Sequence, residues 1–538
     1  MAERRLVGRP AAQGFAAGPL APLRGAVKPA ERVAGTPEEE RERLSVAIAE
    51  ALGQLEALLG AAEGDGADIL AFQVAMLEDP ELADPAFAAL ADGGPAEAAW
   101  GAALGRQIAD YESSGDSHFR ARASDIADIR DRVFAALAGA DPEGTNAPGS
   151  IVLARDLSPS RFLSTDWSRG GAIALTAGSA HGHVATLARA RGVPMIVGLG
   201  IDPEAAPAGA LALVDGADAT LWLDPAPATR AAFEARAARS GAAAASAAAY
   251  LTKPARTKDG AAVAVLINVA SPLELDGLDP AICDGVGLVR TEFLFEGRRE
   301  PPGEDAQFET YARIVSWAAG RPVTIRSLDA GGDKPIPGLT LDGEANPFLG
   351  LRGVRLSLAR PDVFRAQLRA LCRAAALGPV EVMLPMVALA DELSQAAAWL
   401  DEEYAALRAL GRAARRPSLG IMVETPAAAI APDLFDADFY SIGSNDLTQY
   451  VLAAARDSEA VAALYDPAHP AVLRLIAGVA AHGAARGRKV SLCGDAGGDP
   501  RLVGRLLGAG LRALSVAPSA VAAVKQAIAG VDLSDAPL

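Results

Sequence analysis

The 538-residue chain is 51% apolar and 22% charged, and carries a formal net charge of −17. Its length exceeds what one hydrophobic core supports, and its apolar share excludes a disordered chain. The acidic balance excludes nucleic acid as the main partner, because a polyanion binds a basic face, but it allows a small anionic substrate where arginines gather.

Three cysteines, Cys283, Cys372 and Cys493, lie far apart, so neither a disulfide framework nor a zinc site is expected. The opening MAERRLVGRPAAQGF is charged but lacks the apolar stretch of a signal sequence, and no later run sustains the bulky apolar length needed to cross a bilayer. A cytoplasmic protein without membrane insertion is expected.

Residues 5–25 read as a strand with loops. TPEEERERLSVAIAEALGQLEALLGAA then starts a helix with Thr36 as its N-cap, and helical periodicity continues to about residue 140, with joints such as DGGPAE. Over 150–225 the texture changes to short β-type runs, SIVLA, GAIALT, PMIVG and ALALVDG, which predict a compact α/β domain. Within it GSAHGHVATLARARGVPMIVG, residues 178–198, spends two of the chain's five histidines, His181 and His183, just ahead of a short helix. The Ala-rich segment 227–251 predicts a linking helix.

From about residue 260 eight apolar runs follow, each succeeded by helical pattern: AVAVLINVA, GVGLV, PVTIRSLD, VEVMLPMV, LGIMVE, FYSIG, KVSLCG and ALSVA. Eight strand-helix units predict a (β/α)₈ barrel, with an open doubly wound sheet as the alternative. Barrel enzymes place their chemistry where strands end. Arg290 closes the second run, Arg326 lies late in the third, Glu424 ends the fifth, Asn445 and Asp446 follow the sixth, and Cys493 ends the seventh. Two carboxylates, Glu424 and Asp446, are hard oxygen ligands suited to Mg²⁺, while Arg290, Arg326, Arg352 and Arg456 offer planar forks for phosphate or carboxylate. A thiol at Cys493 could exchange a proton with such a substrate.

Six ordered motifs make the chain similar to a known group: GLVRTEFLF at 287–295, RSLDAGGDK at 326–334, NPFLGLRGVR at 346–355, IMVETPAA at 421–428, SIGSNDLTQY at 441–450 and LCGDAGGD at 492–499. Over essentially its whole length it resembles the Enzyme I family of the bacterial phosphotransferase system, within the phosphoenolpyruvate-utilising enzymes. The resemblance implies autophosphorylation of a histidine by phosphoenolpyruvate, release of pyruvate, and transfer to a histidine of an HPr-type phosphocarrier in sugar transport. The family frame H-x-x-x-x-A-R-x-x-x-x-P-x-I-V-G fits His183, followed by Ala188, Arg189, Pro194 and Ile196-Val197-Gly198. It also implies that Arg290, Arg326 and Arg456 hold phosphate, with Arg352 in support, and that Asn445 fixes the substrate carboxylate. Glu424 and Asp446 are then the Mg²⁺ ligands and Cys493 the acid that protonates the enolate carbon. Lys334 is expected as a rim charge.

The implied architecture is a multidomain α/β protein. Residues 1–30 and 145–225 form a swivelling phosphohistidine α/β domain, 31–144 a helical insertion that binds the carrier, 226–255 a linker helix, and 256–538 a TIM barrel that binds phosphoenolpyruvate and forms a homodimer. Because one histidine must serve both the barrel and a carrier docked on the insertion, the α/β domain is expected to swing about 145–150 and 226–256. Departures from the family pattern are Gly182 for Ser, Phe162 for a Thr that hydrogen-bonds the histidine, His181 for Thr, and Gln73 for a histidine of the carrier-docking region. A second reading, a catalytically weak regulatory protein binding a partner through its helices, is disfavoured by the complete barrel motif set.

Overall fold

The computed structural model describes residues 3–23, 32–61, 65–113, 117–140, 148–178, 183–295, 300–332, 336, 338–341, 343–456 and 459–534. The chain divides into two compact units, Met1–Gly241 and Ala242–Leu538.

The first unit holds an eight-stranded sheet of β1 (Arg4–Val7), β2 (Arg9–Ala12), β3 (Phe15–Pro22), β4 (Ile151–Ala154), β5 (Ala172–Leu175), β6 (Met195–Val197), β7 (Leu211–Asp215) and β8 (Thr220–Leu223). Their order is β1-β8-β7-β3-β4-β5-β6-β2, parallel from β3 to β6 and antiparallel at both ends. Residues 5–25 are therefore three strands, where the sequence predicts one, and β8 is an addition to the predicted runs. Short strands carrying Pro and Gly hide their periodicity; Pro10 is accommodated because β2 is an edge strand.

Between β3 and β4 the chain leaves the sheet for five helices, Pro37–Ala61, Asp65–Glu78, Pro80–Ala89, Ala96–Ser113 and Ser117–Ala138. They bury their own apolar core around Leu44, Leu55, Trp100, Leu104 and Val133. Thr36 caps the first of them: its hydroxyl accepts the Glu39 N–H at 3.3 Å and its own N–H donates to the Glu39 carboxylate at 2.8 Å.

The second unit is a closed barrel of β9 (Ala264–Val269), β10 (Val286–Val289), β11 (Val323–Arg326), β12 (Val380–Leu384), β13 (Ser418–Val423), β14 (Phe439–Ile442), β15 (Lys489–Leu492) and β16 (Ala513–Val516), parallel throughout. All eight predicted runs are strands of this barrel, which excludes the open sheet. The helix Pro227–Ala248 spans the boundary between the units. Its first half packs Phe233 against Phe15 and Trp222 within the first unit; beyond the boundary Ser246 accepts from Gln526 at 2.7 Å within the second.

Candidate active site

Alternation along the barrel strands decides which side chains face inward. Val323, Ile325, Leu419, Ile421, Val423, Tyr440, Ile442 and Leu492 point outward into the core beneath the helices. The intervening Met422, Phe439 and Cys493 meet Leu288 and Met383 in a separate apolar cluster inside the barrel. Arg326, Glu424 and Cys493 are the last members of inward-facing rows, so they crown that cluster at the C-terminal rim.

A buried charge web ties this rim together. Arg326, 4% exposed, donates to Glu292 at 2.9 Å and pairs with Asp329 at 3.0 Å. Burial works against its charge, but Glu292 and Asp329 outweigh that and hold the guanidinium protonated. Asp329 also accepts from Arg352 at 3.0 Å, Arg352 reaches Asp446 at 3.3 Å, and Arg456 lies 3.5 Å from the other oxygen of Asp446. The Phe348 ring lies 5.9 Å from both the Arg352 and Arg456 guanidinium carbons. Arg290, half-buried at the end of β10, is engaged by no carboxylate among the described residues. Asn445 is held by a reciprocal pair of 2.9 Å bonds with Asp495, donating to its carboxylate and accepting its N–H.

Glu424 directly follows β13, and Asp446 lies in the first turn of the helix Ser444–Leu452 that follows the paired strand β14. Glu424 is 1% exposed and accepts the Met386 N–H at 2.7 Å. Burial raises its carboxyl above the ordinary carboxylate range, and repulsion from Asp446 and Asp329 raises it further against the pull of Arg326 and Arg352. Facing carboxylates of this kind call for a cation. Among the described residues no group of three or more His, Cys, Asp or Glu is arranged around a metal position. Two carboxylates alone fit Mg²⁺, which keeps water and takes its remaining ligands from substrate oxygens, and do not fit a closed structural metal site.

The Cys493 thiol donates to the Ile442 carbonyl at 3.6 Å, and burial pushes it up to about 11, so it carries its proton at neutral pH. Close packing fixes its turn: a Cβ at Gly494 would come within 2.0 Å of the Ser444 hydroxyl.

His183 belongs to the first unit, where its backbone opens the helix His183–Arg191. Arg189 of that helix donates to the Ala11 carbonyl at 2.9 Å. His181, Gly182 and Lys334 lie outside the described residues, as do 145–147 of the first expected hinge. Phe162 is fully buried, stacked on Trp167 at 5.4 Å and packed in the same cluster as Val184 and Leu187 of the histidine-bearing helix. Gln73, a departure from the family pattern, is fully buried and donates to Asp128 at 2.9 Å. Asp128 in turn accepts from Ser160 at 2.8 Å, which joins two helices of the insertion to the helix Pro159–Ser164.

Glu292 and Asp329, which set the arginines, escaped the sequence reading although both lie inside its motifs; acids beside arginines in GLVRTEFLF and RSLDAGGDK were the signal. Met386 had none, since its contact with Glu424 crosses between strands.

Comparison with known proteins matches the chain to three families in succession: PEP-utilising enzyme, N-terminal, over residues 7–122; PEP-utilising enzyme, mobile domain, over 146–219; and PEP-utilising enzyme, PEP-binding domain, over 244–533. It is 38% identical over 501 residues to the phosphoenolpyruvate-protein phosphotransferase of Geobacillus stearothermophilus, covering 91% of this chain and 87% of that protein. The like-named protein of Haloferax volcanii is 40% identical over 475 residues, covering 86% and 82%. That of Bacillus subtilis is 35% identical over 496 residues, covering 90% and 87%.

Proposed function

The chain belongs to the phosphoenolpyruvate-utilising enzymes, among the phosphoenolpyruvate-protein phosphotransferases, and on that footing we propose that it phosphorylates its own His183 from phosphoenolpyruvate, releases pyruvate, and passes the phosphoryl group to a histidine of an HPr-type carrier. The observation that carries this reading is the charge web that joins Arg326, Arg352 and Arg456 through Asp329 and Asp446 at the barrel rim, with Glu424, Arg326 and Arg290 acting on the protonated Cys493 thiol.

In this mechanism Arg290, Arg326 and Arg456 grip the phosphate, and Arg352 holds Asp446 and Asp329 in place behind them. Asn445, pinned by Asp495, meets the substrate carboxylate. The unprotonated imidazole nitrogen of His183 attacks phosphorus; its P–N bond forms as the phosphate ester P–O bond breaks and the electron pair passes to the enolate oxygen. The enolate then collapses, its terminal carbon taking the proton of Cys493, and the thiolate recovers a proton from solvent. Glu424 and Asp446 would hold Mg²⁺, which when bound supplies charge neutralisation on the phosphate and enolate oxygens. The buried rim leaves the protein little covalent work beyond positioning and neutralising charge.

Residues 1–30 with 145–225 act as the mobile phosphohistidine domain, 31–144 as the carrier-binding insertion, 226–255 as the linker and 256–538 as the substrate and dimerisation domain. The acceptor serves sugar uptake in the cytoplasm. Mixed with phosphoenolpyruvate and Mg²⁺ but no carrier, the protein should release about one pyruvate per chain and stop, as a covalent intermediate requires. Arg290→Ala, at a half-buried position that no described carboxylate engages, should cut that burst without shifting thermal unfolding. Absence of any pyruvate from the unaltered protein would overturn the assignment.

A further inference from the structure

The loop after β12 holds a backbone conformation that its residue resists. Met386 has φ 59°, in the left-handed region that a residue with a Cβ adopts only at a cost. It is 2% exposed, and its N–H donates to the Glu424 carboxyl at 2.7 Å, a contact between two buried groups.

The surroundings enforce that turn from three sides. Val354 donates to the Pro385 carbonyl at 3.1 Å, and Thr425 donates to the Val387 carbonyl at 2.7 Å, fixing the residues before and after Met386. Gly353, itself at φ +60°, abuts the Met386 side chain so closely that a Cβ on Gly353 would lie 2.7 Å from the Met386 Cβ. Tyr450, whose hydroxyl sits 3.3 Å from Arg352, touches the Met386 sulfur at 4.0 Å.

We propose that Met386 is a positioning residue for metal binding: its strained N–H aims Glu424, and Gly353 is glycine to leave room for that turn. The inference rests on the reading of Glu424 as a metal ligand. Its distinguishing feature is that the backbone, not the side chain, does the aiming. A purely structural role would make loss of the Met386 side chain the worse change. A positioning role makes a β-branched replacement worse, because Ile resists positive φ while Gly adopts it freely.

The test is Mn²⁺ binding to the full-length protein, followed by electron paramagnetic resonance without substrate. Met386→Ile and Gly353→Ala should each weaken Mn²⁺ binding about tenfold, the scale of one lost hydrogen bond to a charged group, while Met386→Gly stays within about twofold of the unaltered protein. Equal weakening by Ile and Gly, or none by Ile, overturns the proposal. Glu424→Gln is the control for the reading beneath it: undiminished Mn²⁺ binding there removes Glu424 as the ligand, whatever Met386 does.

Discussion

Cys493 shows how burial selects a role for a side chain. A thiol enclosed by Leu288, Met383, Met422 and Phe439 is a poor nucleophile, yet the same enclosure keeps its proton in place, which a general acid needs. Cys493→Ala should therefore lower turnover to pyruvate by about 10²–10⁴-fold while phosphoenolpyruvate binding, measured by calorimetry, stays close to that of the unaltered protein. Equal losses in both would make Cys493 a packing residue. The thiol is pushed up to about 11 by burial, above its ordinary value of 9.0. The acid thus stays loaded through neutral pH, and pyruvate release should fail only as pH rises toward 11, a limb that Cys493→Ala removes. Replacing Glu424 or Asp446 with Ala should abolish autophosphorylation, read by label incorporation, with the circular dichroism spectrum unchanged. Arg290, Arg326, Glu424 and Cys493 were legible as sequence because a strand's period of two delivers its last inward residue to the rim. Met386 was not, because Gly353, which packs against it, lies 33 positions away along the chain and is adjacent only across the fold.

Among the elements, the helical insertion carries a local ion-pair cluster that anchors its start. Arg32 binds Glu40 in a bidentate pair and donates to Glu97 at 2.8 and 3.0 Å; Glu40 also accepts the N–H groups of Gly35 and Ala96, each at 2.8 Å. The Arg32 guanidinium holds the Glu40 carboxyl down to about 2, from an ordinary 4.5. A depressed folded value means the stabilisation is complete above 4.5 and is lost as pH falls from there toward 2. Glu40→Gln should cost about 2 kcal/mol at neutral pH, because Arg32 is partly exposed and water softens the loss, and should flatten the acid limb of thermal unfolding between those values. An unchanged acid limb would place the charge energetics elsewhere. The barrel runs were readable because strands buried on both faces read as near-continuous apolar stretches. The strands β1 and β2 were not, since RRLV and RPAA are largely exposed and carry arginine and proline in place of an apolar run. Gln73 illustrates a further limit: nothing in the sequence pairs it with Asp128, 55 positions away.

At the scale of the whole molecule, the proposed mechanism needs His183 to visit two places, the barrel rim and a carrier, and His183 and the barrel belong to separate compact units. We infer that the α/β domain swings, with the helix Pro227–Ala248 as its arm; residues 238–246 of that helix are exposed throughout, and they include the Ser240-Gly241 pair, a usual place for a helix to bend. A covalent crosslink between the α/β domain and the barrel should stop transfer to the carrier while sparing phosphorylation of His183, and unimpaired transfer in the crosslinked protein would refute the swing. The proposed mechanism depends on which atom receives the phosphoryl group. The most direct measurement is incubation of the protein with labelled phosphoenolpyruvate and Mg²⁺, mapping the label by mass spectrometry in the unaltered chain, in His183→Ala and in His181→Ala. The expected result is one label on His183, present in His181→Ala and lost in His183→Ala; label that survives in His183→Ala and vanishes in His181→Ala contradicts it.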